Sequence, residues 1–320
     1  MDDFNQRIVI ALDPYGYKKS LELESGELRL AHYTSAENAV NIIAGRQFWL
    51  RSAATMNDFR EIEYGIEAVH TYFNGPSGPS WKKYFDSVDK NLWDRFERLF
   101  QELAIRAKYH TYIASFSEHG SNEDQYGRLS MWRAYGGENN VALIFRGKTF
   151  AQETSAMGVF GLPVRYFTQQ QFSSELDAAV QRLSEIDPEP LGRELHRFEY
   201  WVAMLLFHGI IGTKHPGFEE EREWRIFYSP EHPWNKWKPK ELKFTSIGGV
   251  PQSYLPIRLE KDQNPEIPKI EIKDILDRVL VGPSPNSRMI CVGMNRVLSE
   301  AGLKDTTLLV KESNIPFRRN

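Results

Sequence analysis

The chain has 320 residues, of which 41% are apolar and 13% aromatic, enough for one large packed core or two ordinary ones. Its formal net charge of −3 gives no global basic field, so nucleic-acid binding through bulk charge is excluded and only a local basic patch could supply it. A single cysteine, Cys291, excludes an internal disulfide, suits a reducing cytoplasm and reads as a buried thiol.

The opening "MDDFNQRIVIALDPYGYKK" begins with acids and shows no basic segment ahead of a long apolar one, so no export signal is read and a cytoplasmic location is expected. Residues 1–26 read as an N-terminal extension and 27–320 as the core of one domain, since no repeat, low-complexity tract or long Gly/Ser linker divides the sequence. "LAHYTSAENAVNIIAGRQFWLRS" (30–52) predicts a strand, a helix and a second strand. Thr34 stands as the helix N-cap, Glu37 completes a capping box, and Gly45 is the stop. Leu28, Leu30 and His32 share one strand face, which makes His32 either a hydrogen-bonded core histidine or, as the last residue before a helix N-terminus, a group beside an anion or a ribose hydroxyl.

"TMNDFREIEYG" (55–65) offers Asn57, Asp58, Glu61 and Glu63 as oxygen ligands, but the spacing fits no EF-hand loop, and an Asx turn capping a following helix is the simpler role. Residues 84–110 carry apolar residues at helical spacing, and "TYIASFSE" (111–118) alternates as a strand. "LSMWRAYGGENNVALIF" (129–145) predicts a short helix, a Gly-Gly turn and a strand; Trp132, Arg133 and Tyr135 crowd its helix, where they pack or stack on a planar ring. Residues 169–212 read as helical. Their apolar end, "YWVAMLLFHGIIG", is shorter than the ~20 residues of a membrane span and reads as a buried helix.

"REWRIFY" (222–228) predicts a strand with Trp224, Ile226 and Tyr228 on the core face. Glu221, Glu223 and Arg225 fall on the other face, about 6.6 Å apart along the strand. One carboxylate of such a pair can stabilise a developing positive charge while the other takes a proton, as in glycoside chemistry; the competing reading is a solvated edge strand bearing surface charge. Residues 278–310 predict a strand, a helix closed by Gly302 and a further strand, a βαβ unit. Strands and helices mix without strict alternation, so the expected fold is α+β, with a mixed, largely antiparallel sheet, helical insertions and this C-terminal βαβ unit.

The segments "HYTSAENAVNIIAGRQFWLRSAATMNDFREIEYG", "ASFSE", "LSMWRAYGG", "FEEEREWRIF", "LVGPSPN" and "ESNIPFRRN", in that order, resemble the bacterial family catalogued as domain of unknown function 2971. "HYTS…NIIAGRQFWLRS" is also similar to the first strand-helix-strand of ADP-ribosyltransferases, which implies an ADP-ribosyltransferase-like sheet and NAD as substrate. Carried onto this chain, the resemblance implies that His32 binds the nicotinamide ribose, Glu223 holds its 2′-hydroxyl and stabilises the oxocarbenium-like transition state, and Glu221 orients or deprotonates the acceptor. Contacts to the nucleotide would come from His32, Tyr33, Thr34, Arg51, Ser117, Trp132, Arg133, Tyr135 and Arg225, all within the quoted segments.

The function expected is therefore an NAD-consuming ADP-ribosyltransferase or NAD glycohydrolase, a toxin or defence effector acting on a nucleic acid or protein, away from membranes and capable of forming a homodimer. On this reading His32 and Glu223 face one cleft. Placed on opposite sides of the sheet they could not grip one ribose, and the NAD reading would be lost to surface charge. Two alternatives stand beside it. A metal-dependent nuclease or phosphohydrolase would bring Asp58, Glu61, Glu221 and Glu223 within ~2–2.6 Å of a common ion. A non-catalytic module would bind a nucleotide and leave it intact.

Overall fold

Segments with period-two apolar residues become strands, and those with apolar residues three and four apart become helices laid on the sheet. The computed structural model describes residues 3–55, 59–156, 158–230, 242–260 and 270–316. The strands are β1 (Arg29–Ser35), β2 (Gln47–Ser52), β3 (Tyr112–His119), β4 (Asn140–Arg146), β5 (Phe160–Pro163), β6 (Arg165–Tyr166), β7 (Thr213–Lys214), β8 (Glu223–Tyr228), β9 (Lys243–Ile247), β10 (Val250–Arg258), β11 (Leu276–Val281) and β12 (Val310–Glu312). Ten of them form one sheet in the order β12-β11-β4-β1-β3-β2-β10-β9, with β8 and β5 branching from β3; β6 and β7 pair separately.

The fold is α+β with a mixed, largely antiparallel sheet. β11 and β12 pair in parallel across the helix Ser287–Glu300, which completes the C-terminal βαβ unit. β3 has three partners, and their registers show how it accommodates them. β8 runs along Tyr112–Ser117, whereas β2 meets only Ile113 and Tyr112, and β1 meets only Ser117, Glu118 and His119. β8 overlaps both of the others, so β1 and β2 share the opposite edge of β3 and diverge between its two ends. The sheet splits there.

One face of the sheet carries Leu30, Phe116, Leu143, Trp224 and Ile226 in a core covered by the helices Ala36–Ala44 and Ser287–Glu300. The other face bears two separate apolar patches. A large helical layer, including Phe59–Phe73, Leu92–Tyr109 and Leu195–Ile211, packs on Ile113 and Phe227, and the short helix Leu129–Tyr135 packs on Ala31, Tyr33 and Ala142. Between these patches lies a polar seam. The N-terminal helix Asp3–Leu12 joins the helical layer through Ile8, Ala11 and Leu12.

Two local expectations are corrected. The cap of Ala36–Ala44 is Ser35, whose hydroxyl accepts from Asn38 N–H at 3.2 Å; Thr34 accepts instead from the Asn38 side chain at 3.2 Å, because β1 runs one residue further than expected. Gly45 ends that helix with right-handed φ, and Arg46 takes the left-handed turn at φ 47°. The helix expected over 84–110 is two, Gly78–Val88 and Leu92–Tyr109. Asp89 breaks them in extended conformation. Asn57 and Asp58 lie outside the described residues. Cys291 is half-buried and free, with burial raising its thiol pKa.

Candidate functional site

The seam is built by β3, β8 and β7 with the first turn of Phe59–Phe73. Ser117 pairs with Glu223 and Ser115 with Arg225, so all four side chains lie on one face of β3 and β8. β8 is buried along its whole length between β3 and β5. This overturns the solvated edge strand, since an interior strand must pair its charges. Glu221 is not on the strand. It ends a 3₁₀ turn, Pro216–Glu221, and Arg222 at φ 40° turns the chain into β8. The two glutamates nevertheless converge, by this turn rather than by strand alternation.

They converge on Lys214. Its ammonium lies 2.8 Å from Glu61, 2.6 Å from Glu221 and 3.3 Å from Glu223. Arg225, fully buried, bonds Glu223 through Nε at 2.9 Å, donates to the Ile211 carbonyl at 2.5 Å and also pairs with Glu61. Among the described residues three carboxylates thus surround two cations, a formal charge of one negative unit. Glu223 is 5% exposed, whereas Glu221 and Glu61 reach the surface. At that rim Tyr135, 46% exposed, donates its hydroxyl to Glu221 at 2.7 Å, and Phe218 lies 4.8 Å from the Lys214 ammonium.

Burial opposes the charge on Glu223, but Arg225 and then Lys214 outweigh it and hold its pKa at about 2. Burial likewise opposes the charge on Lys214, and Glu223 and Glu61 outweigh it, holding the ammonium above its ordinary range. Burial and the Glu221 carboxylate raise the Tyr135 phenol. Glu223 and Lys214 are therefore both charged at neutral pH.

A second group locks the seam to β3. The Arg128 guanidinium donates to Ser117 Oγ at 2.8 Å, to the carbonyls of Glu220 at 2.6 Å and Glu118 at 2.8 Å, and to Glu123 at 3.0 Å. Ser117 in turn donates to the Glu221 carbonyl at 2.5 Å. Tyr33 accepts from Arg128 N–H at 3.0 Å, and Tyr166 accepts from Glu223 N–H at 2.7 Å.

His32 lies elsewhere. It pairs with Leu143 and contacts Phe116, both on the other face of the sheet from Glu223. Its Nδ1 meets the Ser115 carbonyl at 3.1 Å, where β1 has left β3 and no strand partner remains. An N–H at Nδ1 donates to that carbonyl, and burial lowers the His32 pKa, favouring the neutral ring. The shared cleft required of His32 and Glu223 is therefore absent: His32 is half-buried against Phe116 on the other face of the sheet. The register decides this; the side-chain alternation of two bridged strands leaves no other placement.

Of the other expected contacts, Tyr33, Ser117, Tyr135 and Arg225 join the seam. Trp132 is buried against Tyr33 with its indole N–H on the Tyr126 carbonyl at 2.8 Å, so it is a packing residue and no stacking platform. Arg133 is exposed, Thr34 is buried beside Asn38, and Arg51 bonds Gln252 at 2.5 Å. Lys214, Arg128 and Tyr166 were not anticipated. The one signal for Lys214 was a lysine directly after a long apolar helix, where a charge must find partners on entering the core.

The metal reading is altered too. Glu61, Glu221 and Glu223 do converge, but on the Lys214 ammonium, and among the described residues no group of three His, Cys, Asp or Glu is placed to hold an ion. No helix among the described residues is long and apolar enough to cross a membrane.

No curated protein and no solved structure matches the chain. Residues 131–226, from within the helix Leu129–Tyr135 to Ile226 of β8, match the family model described as "Protein of unknown function (DUF2971)", a span that contains Tyr135, Lys214, Glu221, Glu223 and Arg225.

Proposed function

We propose that the chain is an enzyme that breaks an N-glycosidic bond of a nucleotide; the NAD reading that paired His32 with Glu223 is given up with their shared cleft, the proposal rests on the Glu221 and Glu223 carboxylates alone, and NAD serves as the nucleotide that assays it. The observation that carries this reading is the unit of negative charge held at the rim by three carboxylates around two fixed cations. As the bond from ribose C1′ to the base nitrogen breaks, its electron pair leaves with the base and positive charge develops on the sugar. A preorganised, partly buried carboxylate cluster stabilises that charge. Water then bonds to C1′ and gives its proton to Glu221. A nucleic-acid or protein nucleophile in place of water would make the same site an ADP-ribosyltransferase, and a toxin or defence role belongs to that extension.

A second reading, the non-catalytic nucleotide sensor, has one observation in its favour: both oxygens of Glu223 are taken by Arg225 and Lys214. Incubation of the purified protein with NAD separates the two. The enzyme releases nicotinamide, and Glu221→Gln lowers the release by ~10²–10³-fold; the sensor raises its melting temperature with the nucleotide and leaves NAD intact.

A further inference from the structure

One apolar cavity does not lie on the carboxylate rim. It opens behind it, between the start of the helix Pro14–Ser25, the helices Gln169–Ser184 and Leu195–Ile211, and β6, with a volume of about 240 Å³. Its walls are mainly apolar, with Leu12, Phe172, Leu176 and Leu206 each buried. A cavity of about 150 Å³ takes one benzene-sized ring, so this one suits a two-ring body and is small for a whole dinucleotide. Tyr166 forms part of the wall while its hydroxyl accepts the Glu223 N–H, so the cavity ends one hydrogen bond from β8.

The charges on the wall choose the occupant. Arg165 is the only cation among the lining residues, is 8% exposed and is already paired with Asp13. Glu175, paired with Arg182 at 2.7 Å, and the exposed Glu219 complete the charged lining, so Glu219 is the lining charge with no ion pair among the described residues. Arg165 is compensated by Asp13 and Glu175 by Arg182, so an anionic head would meet only the Glu219 carboxylate and a cationic head would meet complementary charge. We infer that this cavity is a binding site for a small two-ring aromatic amine, its ring among the apolar walls and its ammonium beside the exposed Glu219. The site is separate from the glycosidic chemistry proposed above and stands or falls without it.

Three probes that share one ring and differ in charge test the inference on the full chain: tryptamine, indole and indole-3-acetate. Calorimetry should give saturable binding of tryptamine, at least about tenfold tighter than indole-3-acetate, with indole between them. The Cβ of Gly209 would meet Phe172 at an ordinary 3.5 Å, so Gly209→Ala should fold and still bind, whereas Gly209→Leu should fill the space and abolish binding. Glu219→Lys, at an exposed position where folding is safe, should reverse the preference toward indole-3-acetate. Absence of tryptamine binding would overturn the inference. So would equal affinity for the acid, or a preference unmoved by Glu219→Lys.

Discussion

At the scale of single residues, the cluster separates the effect of charge on rate from its effect on folding. Glu221→Gln keeps size and hydrogen bonding at a rim position, and turnover of NAD should fall ~10²–10³-fold with the melting temperature almost unchanged. Transfer to an acceptor should suffer more than hydrolysis. Glu223→Gln should lower both turnover and stability, because it leaves Arg225 and Lys214 buried beside a neutral amide; loss of one partner of a buried pair costs about 3–5 kcal/mol. Glu220→Gln, exposed in the same acidic run, should be silent in both measurements. The pH dependence follows from the same groups. Glu223 titrates at about 2 in the fold against 4.5 ordinarily, so its contribution is present above pH 4.5 and is lost as pH falls toward 2. His32, held neutral with its pKa below 6.5, adds a loss as pH falls below that value. Lys214 acts in the other direction, its contribution complete below pH 10.5 and lost only above it. Urea midpoints should therefore hold on the neutral to mildly alkaline side and drop steeply in acid, and Glu223→Gln should flatten the part of the drop below pH 4.5. His32→Ala should leave turnover intact and cost about 1–3 kcal/mol in urea unfolding, the cost of an unpaired buried carbonyl at Ser115. Glu223 and Arg225 were legible from alternation alone. Lys214 was not, because its partners come from residues 61, 221 and 223, and only the tertiary fold brings position 61 to the other two.

At the scale of elements, the helix Phe59–Phe73 meets Leu195–Ile211 so closely that a Cβ on Gly65 would stand 2.2 Å from the Ile210 carbonyl oxygen. Gly65 sits mid-helix, where glycine ordinarily weakens the helix by roughly 0.5–1 kcal/mol relative to alanine, so its presence there is a matter of packing. Gly65→Ala should destabilise by about 1–3 kcal/mol despite its better helix propensity, because the two helices must move apart, and calorimetric melting would show it. The sequence revealed strands and helices well where periodicity is strong, as in β1, β3, β8 and the βαβ unit. It failed where the cause is local and small: a cap displaced by one residue from Thr34 to Ser35, and a break at Asp89 within otherwise continuous helical spacing. The status of β8 as an interior strand depends on pairing with β3 and β5, and sequence alternation carries no information about partners.

At the scale of the whole molecule, two apolar patches on one face of the sheet leave a polar seam between them, and the seam is where the charged residues of β8 must go. That arrangement explains why Glu223 and Glu221 are not free surface charge: Glu223 is paired inside the chain with Arg225 and Lys214, and Glu221 is paired with Lys214 at the rim beside Tyr135. The α+β class was legible because helical and strand periods are interleaved without a repeating βα order. The split of the sheet at β3 was not, and it is the split that gives His32 its place against the Ser115 carbonyl. The most direct test of glycosidic chemistry at the rim is nicotinamide released from NAD by the purified wild-type protein, followed by chromatography beside Glu221→Gln and His32→Ala. The expected result is release by wild type and by His32→Ala, with a ~10²–10³-fold lower rate in Glu221→Gln; no release by wild type, or equal rates in wild type and Glu221→Gln, would contradict it.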